Sequence, residues 1–256
     1  MCHQTDARPP LAPVNGGAVD AVDVSLTAAD GAQPAGYLVR AADPGGPGIV
    51  IITDVRGLHP FYLELARQFA GAGVHALALD LYSRTAGPGR RDDAFVWMPH
   101  VTATTQATIA ADVRAAAELL RSAEGGSAAR VFTVGFCFGG RASFLQAVEG
   151  DELSGVIGFY GPPGGPNRAG LPEPIQLAGE FGCPVLGLFG GADDGIPRDM
   201  VAGFEAALTA AGVQHELVTY PGAPHSFFDR TASDHAGAAA DAWQRVLEFV
   251  GRPAIA

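Results

Sequence analysis

Short apolar runs rich in β-branched residues alternate along this chain with segments in which apolar residues recur every three or four positions. That alternation predicts an α/β architecture, a mostly parallel sheet of about eight strands with helices on both faces. The strand candidates are Val22–Thr27, Gly36–Arg40, Gly48–Thr53, Val74–Asp80, Val131–Phe136, Gly155–Tyr160, Pro184–Gly190 and His215–Tyr220. The middle ones are continuously hydrophobic, as strands covered on both faces must be. The first two flank Ala28-Ala29-Asp30-Gly31 and read as an antiparallel hairpin that begins the sheet. Helical stripes run through Ile109, Val113, Ala117 and Leu120, through Val201, Phe204, Leu208 and Ala211, and through Trp243, Val246, Leu247 and Val250. Gly161–Pro174 is too dense in glycine and proline for regular structure and is expected as a loop over one sheet edge. Several strands end in Gly or Asp before the next helix, and α/β proteins place their chemistry at those carboxyl ends.

Composition narrows the classes. With 256 residues, 48% of them hydrophobic and 17% charged, the chain reads as one domain over residues 1–256, residues 1–20 forming an N-terminal extension. The formal net charge is −11 and the densest basic pair is Arg90-Arg91, so no nucleic-acid partner is expected. No apolar run is long enough to span a bilayer, and Met1–Pro13 lacks the basic-then-apolar pattern of a secretion signal. Cys2, Cys137 and Cys183 include no closely spaced pair, which fits free thiols and a cytoplasmic location. No cofactor is implied. Cys2-His3, isolated at a chain end, lacks the four convergent ligands that a structural zinc needs, and no metal is expected.

One motif stands out. The apolar run Val131–Val134 leads into Gly135-Phe136-Cys137-Phe138-Gly139-Gly140, and the helical stretch Arg141–Val148 follows. Small residues on both sides of Cys137 permit a sharp strand-to-helix turn, the nucleophile elbow in cysteine form. The acid and base follow in the order that such sites use. After the strand Pro184–Gly190 comes a loop with Asp193 and Asp194, either of which can orient an imidazole. After the strand His215–Tyr220 comes Pro221-Gly222-Ala223-Pro224-His225, which puts His225 on a hinged loop near the same edge. The remaining histidines fit structural roles better. His75 lies within a strand, His215 opens one, His235 starts a helix, and His59 and His100 sit beside prolines in loops. Asp80, at another strand end, fits the pinning of a loop.

Gly135-Phe136-Cys137-Phe138-Gly139-Gly140, Gly190–Pro197 and Pro224-His225-Ser226-Phe227 together resemble the signature regions of the dienelactone hydrolase (carboxymethylenebutenolidase-like) family of the α/β-hydrolase superfamily. Gly48–Arg84 resembles the family's strand–helix–strand segment, and the likeness extends from about Val22 to Val250. The resemblance implies a Cys137–His225–Asp193 triad, since the family acid stands four positions before the proline of its loop. It implies an oxyanion hole made by the backbone N–H groups of Val55 and Phe138, and it matches Arg84 to an arginine that meets a substrate carboxylate. Three positions depart from the family pattern. Asp54 stands where a glutamate contacts the resting thiol, Arg56 replaces an aromatic residue, and Asp229 occupies the place of a second carboxylate-binding arginine, with Arg230 beside it.

The expected substrate is a small-molecule ester or lactone, with or without a carboxylate. Asp54, Arg56, Arg84, Tyr82 and Trp97 are expected to contact it. Tyr82, Phe95, Trp97 and Met98 could equally fill the core. A thiol at a helix start beside a histidine is favoured to ionise and attack a carbonyl. The competing readings are a noncatalytic small-molecule-binding protein on the same fold and a thiol-regulated partner protein; Cys137 has no resolving cysteine nearby in sequence.

Overall fold

The structure, a computed structural model, describes residues 9–10, 20–148 and 153–251. All eight predicted strands form, each within two residues of its expected ends: β1 Asp20–Ser25, β2 Ala35–Arg40, β3 Gly48–Ile52, β4 His75–Asp80, β5 Val131–Phe136, β6 Gly155–Phe159, β7 Val185–Gly190 and β8 His215–Tyr220. They build one sheet in the order β1-β2-β4-β3-β5-β6-β7-β8. β2 is antiparallel to both β1 and β4, whereas β4, β3, β5, β6, β7 and β8 run parallel. Between β1 and β2 the chain turns at Gly31, whose φ of 81° suits glycine, and Asp30 accepts the Ala32 N–H.

The helices in chain order are α1 Pro60–Gly71, α2 Ser83–Ala86, α3 Met98–Ala103, α4 Gln106–Arg121, α5 Phe138–Leu145, α6 Pro174–Leu177, α7 Arg198–Ala210 and α8 Ala236–Gly251. Every residue of β3 to β7 is buried, so both sheet faces are covered, as their unbroken hydrophobicity requires. The predicted stripe of α4 is wholly buried, and Thr105 and Thr108 close a capping box at its start. In α7 the buried stripe is Val201, Phe204 and Leu208, while Ala211 lies just past the end and is exposed. α1 lies outside the three predicted stripes; His59 caps it, Nδ1 accepting the Phe61 N–H.

Two local expectations change. His100 lies within α3, stacked on Phe95 with ring centroids 5.0 Å apart, instead of in a loop. The Gly/Pro loop after β6 does not cross a sheet edge, because β6 sits between β5 and β7 in the interior of the sheet. It rises instead from the carboxyl end of β6, beside the elbow. Residues 1–8 and 11–19 of the expected N-terminal extension, including Cys2 and His3, lie outside the described residues.

Candidate active site

β5 ends at Phe136 and α5 begins at Phe138, so the chain reverses through Cys137 alone. Cys137 takes φ 55° and ψ −114°, a strained conformation for a residue with a Cβ. Glycine makes the turn possible. A Cβ on Gly135 would lie 1.8 Å from the Gly139 carbonyl oxygen, and one on Gly139 would lie 2.3 Å from the carbonyl oxygens of Ile52 and Thr53. The start of α5 is thereby pressed onto the end of β3, which sets Phe138 beside the loop that holds Val55. Neither the Val55 N–H nor the Phe138 N–H is engaged by another group among the described residues.

The loops that carry Asp193 and His225 are joined at their stems. The Gly191 N–H donates to Tyr220 O at 2.8 Å and the Ala192 N–H to Ala223 O at 2.9 Å. Above these bonds, His225 Nδ1 donates to Asp193 Oδ2 at 2.6 Å, leaving Nε2 for chemistry. The Asp193 carboxylate also accepts the Gly195 N–H at 2.9 Å. Asp194 is exposed and has no such contact with His225. The Tyr160 ring lies against His225 with centroids 4.9 Å apart. Burial pushes the Tyr160 phenol well above its ordinary pKa, and the charges of Asp229 and Asp54 add to that.

Cys137 opens onto a cavity of about 480 Å³ whose apolar lining comes from Val55, Val101, Phe138, Pro162 and Pro166. Its polar lining comes from Asn167, Arg168 and Arg141, and no lining residue is acidic. The other described cysteine, Cys183, is no rival nucleophile, since burial pushes its thiol up to about 12.

The five expected substrate contacts fall outside this lining. Asp54 and Arg56 are both 4% exposed and sit behind Val55. The Arg56 N–H donates to Asp54 Oδ1 at 2.9 Å, and its guanidinium bonds both Asp54 and Asp229. Asp54 therefore braces the peptides around Val55, and Arg56 ties that loop to the segment after His225. Burial pushes the Asp229 carboxyl up to about 6, against the pull of Arg56. Tyr82 is fully buried and its hydroxyl donates to the Val55 carbonyl at 3.1 Å, a further support for the same loop. Arg84 is consumed by ion pairs with Asp112 at 2.6 Å and Asp30 at 2.6 Å, so the anchoring expected of it has no geometric support. Trp97 precedes α3 and lies under the Arg168 guanidinium, 5.8 Å from ring centroid to Cζ. Arg230 donates to Ser226 Oγ at 2.9 Å. Asp80 pins the following loop, as expected, through the Tyr82 and Gly89 N–H groups and Arg91.

Sequence reasoning passes over two residues of consequence. Tyr160 looked like the last residue of a strand, and nothing local marks its ring as a neighbour of His225. Arg141 looked like an ordinary helical residue, although an arginine four positions after the elbow cysteine, on an otherwise apolar helix, was a usable signal.

Comparison with known proteins identifies the family of the chain. The sequence model of the dienelactone hydrolase family matches residues 35–253. A Salmonella typhimurium relative named "Putative carboxymethylenebutenolidase" is 33% identical over 251 residues, covering 95% of this chain and 93% of the relative. The "Carboxymethylenebutenolidase" of Rhodococcus opacus is 29% identical, covering 98% and 97%. Among solved structures, the "Putative Dienelactone Hydrolase" of Klebsiella pneumoniae superposes with a TM-score of 0.81 at 31% identity, covering 93% of this chain and all of that one.

Proposed function

The chain belongs to the dienelactone hydrolase family and is an ester or lactone hydrolase; from that premise we propose that Cys137 is its nucleophile, His225 its base and Asp193 the acid that orients the base. The observation behind this reading is the His225 Nδ1–Asp193 Oδ2 bond of 2.6 Å, set at the same sheet edge as a strained elbow that exposes Cys137.

His225 Nε2 takes the Cys137 thiol proton, the thiolate Sγ attacks the substrate carbonyl carbon, and the C=O electron pair moves onto oxygen. The N–H groups of Val55 and Phe138 receive that oxyanion, two fixed dipoles directed where charge develops. Collapse breaks the bond to the leaving oxygen, which takes a proton from the His225 imidazolium, and a thioester remains. His225 Nε2 then removes a proton from water, whose oxygen attacks the thioester. The thiolate leaves and the carboxylic acid is released. Asp193 stays ionised throughout and stabilises the imidazolium. A thiolate is a better leaving group than an amine or most alkoxides, so this order of steps favours enol lactones and aryl esters over amides. The apolar lining of the cavity suits a small hydrophobic acyl group.

The test compares wild type with Cys137→Ala and Cys137→Ser on p-nitrophenyl acetate, with circular dichroism on each protein. Cys137→Ala is expected to lose at least about 10³-fold in kcat while keeping its spectrum. Mass spectrometry of the wild type with a slow ester is expected to show an acyl adduct on the peptide that contains Cys137. Retained turnover in Cys137→Ala, or loss of fold, would overturn the assignment.

A further inference from the structure

The loop between β6 and α6 contains Gly161, Gly164, Gly165 and Gly170, a composition open to many conformations, yet one side chain of α5 holds it in place. Arg141, one turn after Cys137 and 1% exposed, donates Nε to Pro172 O at 2.9 Å and Nη2 to Leu171 O at 3.1 Å. Its Nη1 donates to Gly164 O at 3.2 Å and Gly165 O at 2.8 Å. One guanidinium therefore ties both stems of the loop to α5. The base of the loop is pressed onto the same helix, since a Cβ on Gly161 would lie 2.4 Å from the Gly140 carbonyl carbon. Within the loop, Glu173 Oε2 accepts the Gly165 N–H at 3.0 Å, and Asn167 Oδ1 accepts the Ala169 and Leu171 N–H groups at 3.1 and 2.9 Å.

The clamp is costly and it bears on the cavity. Carbonyl oxygens, with no carboxylate in contact among the described residues, answer the buried charge, and burial lowers its pKa against the opposing charge of Glu173. What it holds is one wall of the space at Cys137, where the loop contributes Pro162 and Pro166, with Asn167 and Arg168 at its tip. The proline rings fix their own backbone angles and add stiffness. Opposite them stand Val55, Val101 and Phe138. The same helix thus carries Cys137 at its start and sets the distance to this wall one turn later. The cavity of about 480 Å³ cannot widen on this side without breaking the bonds to Arg141.

We propose that Arg141 is a positioning residue that sets the size of substrate accepted: by holding Pro162 and Pro166 at a fixed distance from Cys137, it makes the cavity favour compact substrates over extended ones. This rests on the hydrolase reading above. Arg141 acts through the wall, its own donors being engaged by the loop carbonyls.

Two pairs of esters read that limit. p-Nitrophenyl acetate and octanoate lengthen the acyl half, and phenyl acetate and p-octylphenyl acetate lengthen the leaving half. The measurement is the long-to-short ratio of kcat/KM within each pair, spontaneous rates subtracted, with circular dichroism on each protein. Wild type is expected to disfavour the long member by at least about 10-fold in one pair. Arg141→Met, which keeps the length of the side chain without its donors, should raise that ratio about 10-fold, mainly through KM for the long ester. Arg141→Lys should lie between, because the charge remains while the fork that spans both stems is lost. Glu173→Ala releases Gly165 without touching α5 or the cavity lining and should move the ratio the same way by a smaller factor. It decides the matter if Arg141→Met does not fold. An arginine that serves stability alone would depress long and short esters alike. Unchanged ratios in Arg141→Met and Glu173→Ala therefore overturn the inference while the hydrolase reading stands, as does a wild type that takes long and short members equally. If wild type hydrolyses none of the esters, the hydrolase reading falls and the size limit with it.

Discussion

The cavity at Cys137 has two arginine-bearing walls of opposite character. On one, the loop after β3 buries Arg56 between Asp54 and Asp229, and its charge is spent inside the protein. On the other, the loop after β6 is fixed by the buried Arg141 but leaves Arg168 exposed at its tip. The first wall supplies a rigid backbone donor at Val55, and the second supplies an unused cation. Proximity to the nucleophile therefore does not decide what an arginine does; the partners it has already found decide it.

The sharpest way to break the contrast is Arg56→Leu. It leaves two carboxylates facing each other in a buried site, and stability is expected to fall by about 3–5 kcal/mol in urea unfolding. Adding Asp229→Asn to Arg56→Leu should recover part of that loss, since it removes one of the uncompensated charges. If Arg56→Leu unfolds like wild type, the first wall is not held by its ion network.

Arg84→Ala should cost less, about 1–3 kcal/mol, because its side chain is partly exposed while its partner Asp112 is buried. Its loss of kcat/KM, if any, should be the same for p-nitrophenyl hexanoate and mono-p-nitrophenyl adipate. A deficit confined to the adipate ester, which ends in a carboxylate, would return the carboxylate anchor to Arg84.

The last effect concerns pH. Asp229 is pushed up to about 6, so the folded protein holds this proton more tightly than the unfolded chain does. Its stabilising contribution is full below the ordinary carboxylate pKa of about 4 and declines as pH rises to about 6. Relative to Asp229→Asn, wild type should therefore lose stability across that interval, by at most about 3 kcal/mol, and stay level above it. A wild type that gains stability over Asp229→Asn with rising pH would contradict a buried, partly compensated carboxylate.

The strands, the elbow turn and the two loops that bring Asp193 and His225 together were legible because they follow from local rules. Continuous apolar runs bounded by Gly and Asp specify buried strands, and Gly135 and Gly139 around Cys137 specify a turn that few other sequences tolerate. The walls were not legible, because they depend on which side chains meet across long stretches of chain. Asp229 lies 173 positions from the arginine that holds it. The Arg141 clamp reaches 31 positions, to a loop whose composition said only that it would be irregular.

Backbone strain divides in the same way. Four non-glycine residues among those described have positive φ, and three of them, Cys137, Tyr160 and Ser226, surround the site. At Cys137 the flanking glycines announced the strain. At Tyr160, set under His225, and at Ser226, next after His225, no local signal did, because packing around the site imposes those conformations. The sequence by itself determined the sheet, the elbow and the residue types available for acyl transfer, since these depend on periodicity and on steric freedom at single positions. Only the tertiary structure decided that Arg56 and Arg84 are neutralised and that Arg168 stays open, because the state of a charge is set by neighbours that the fold brings together.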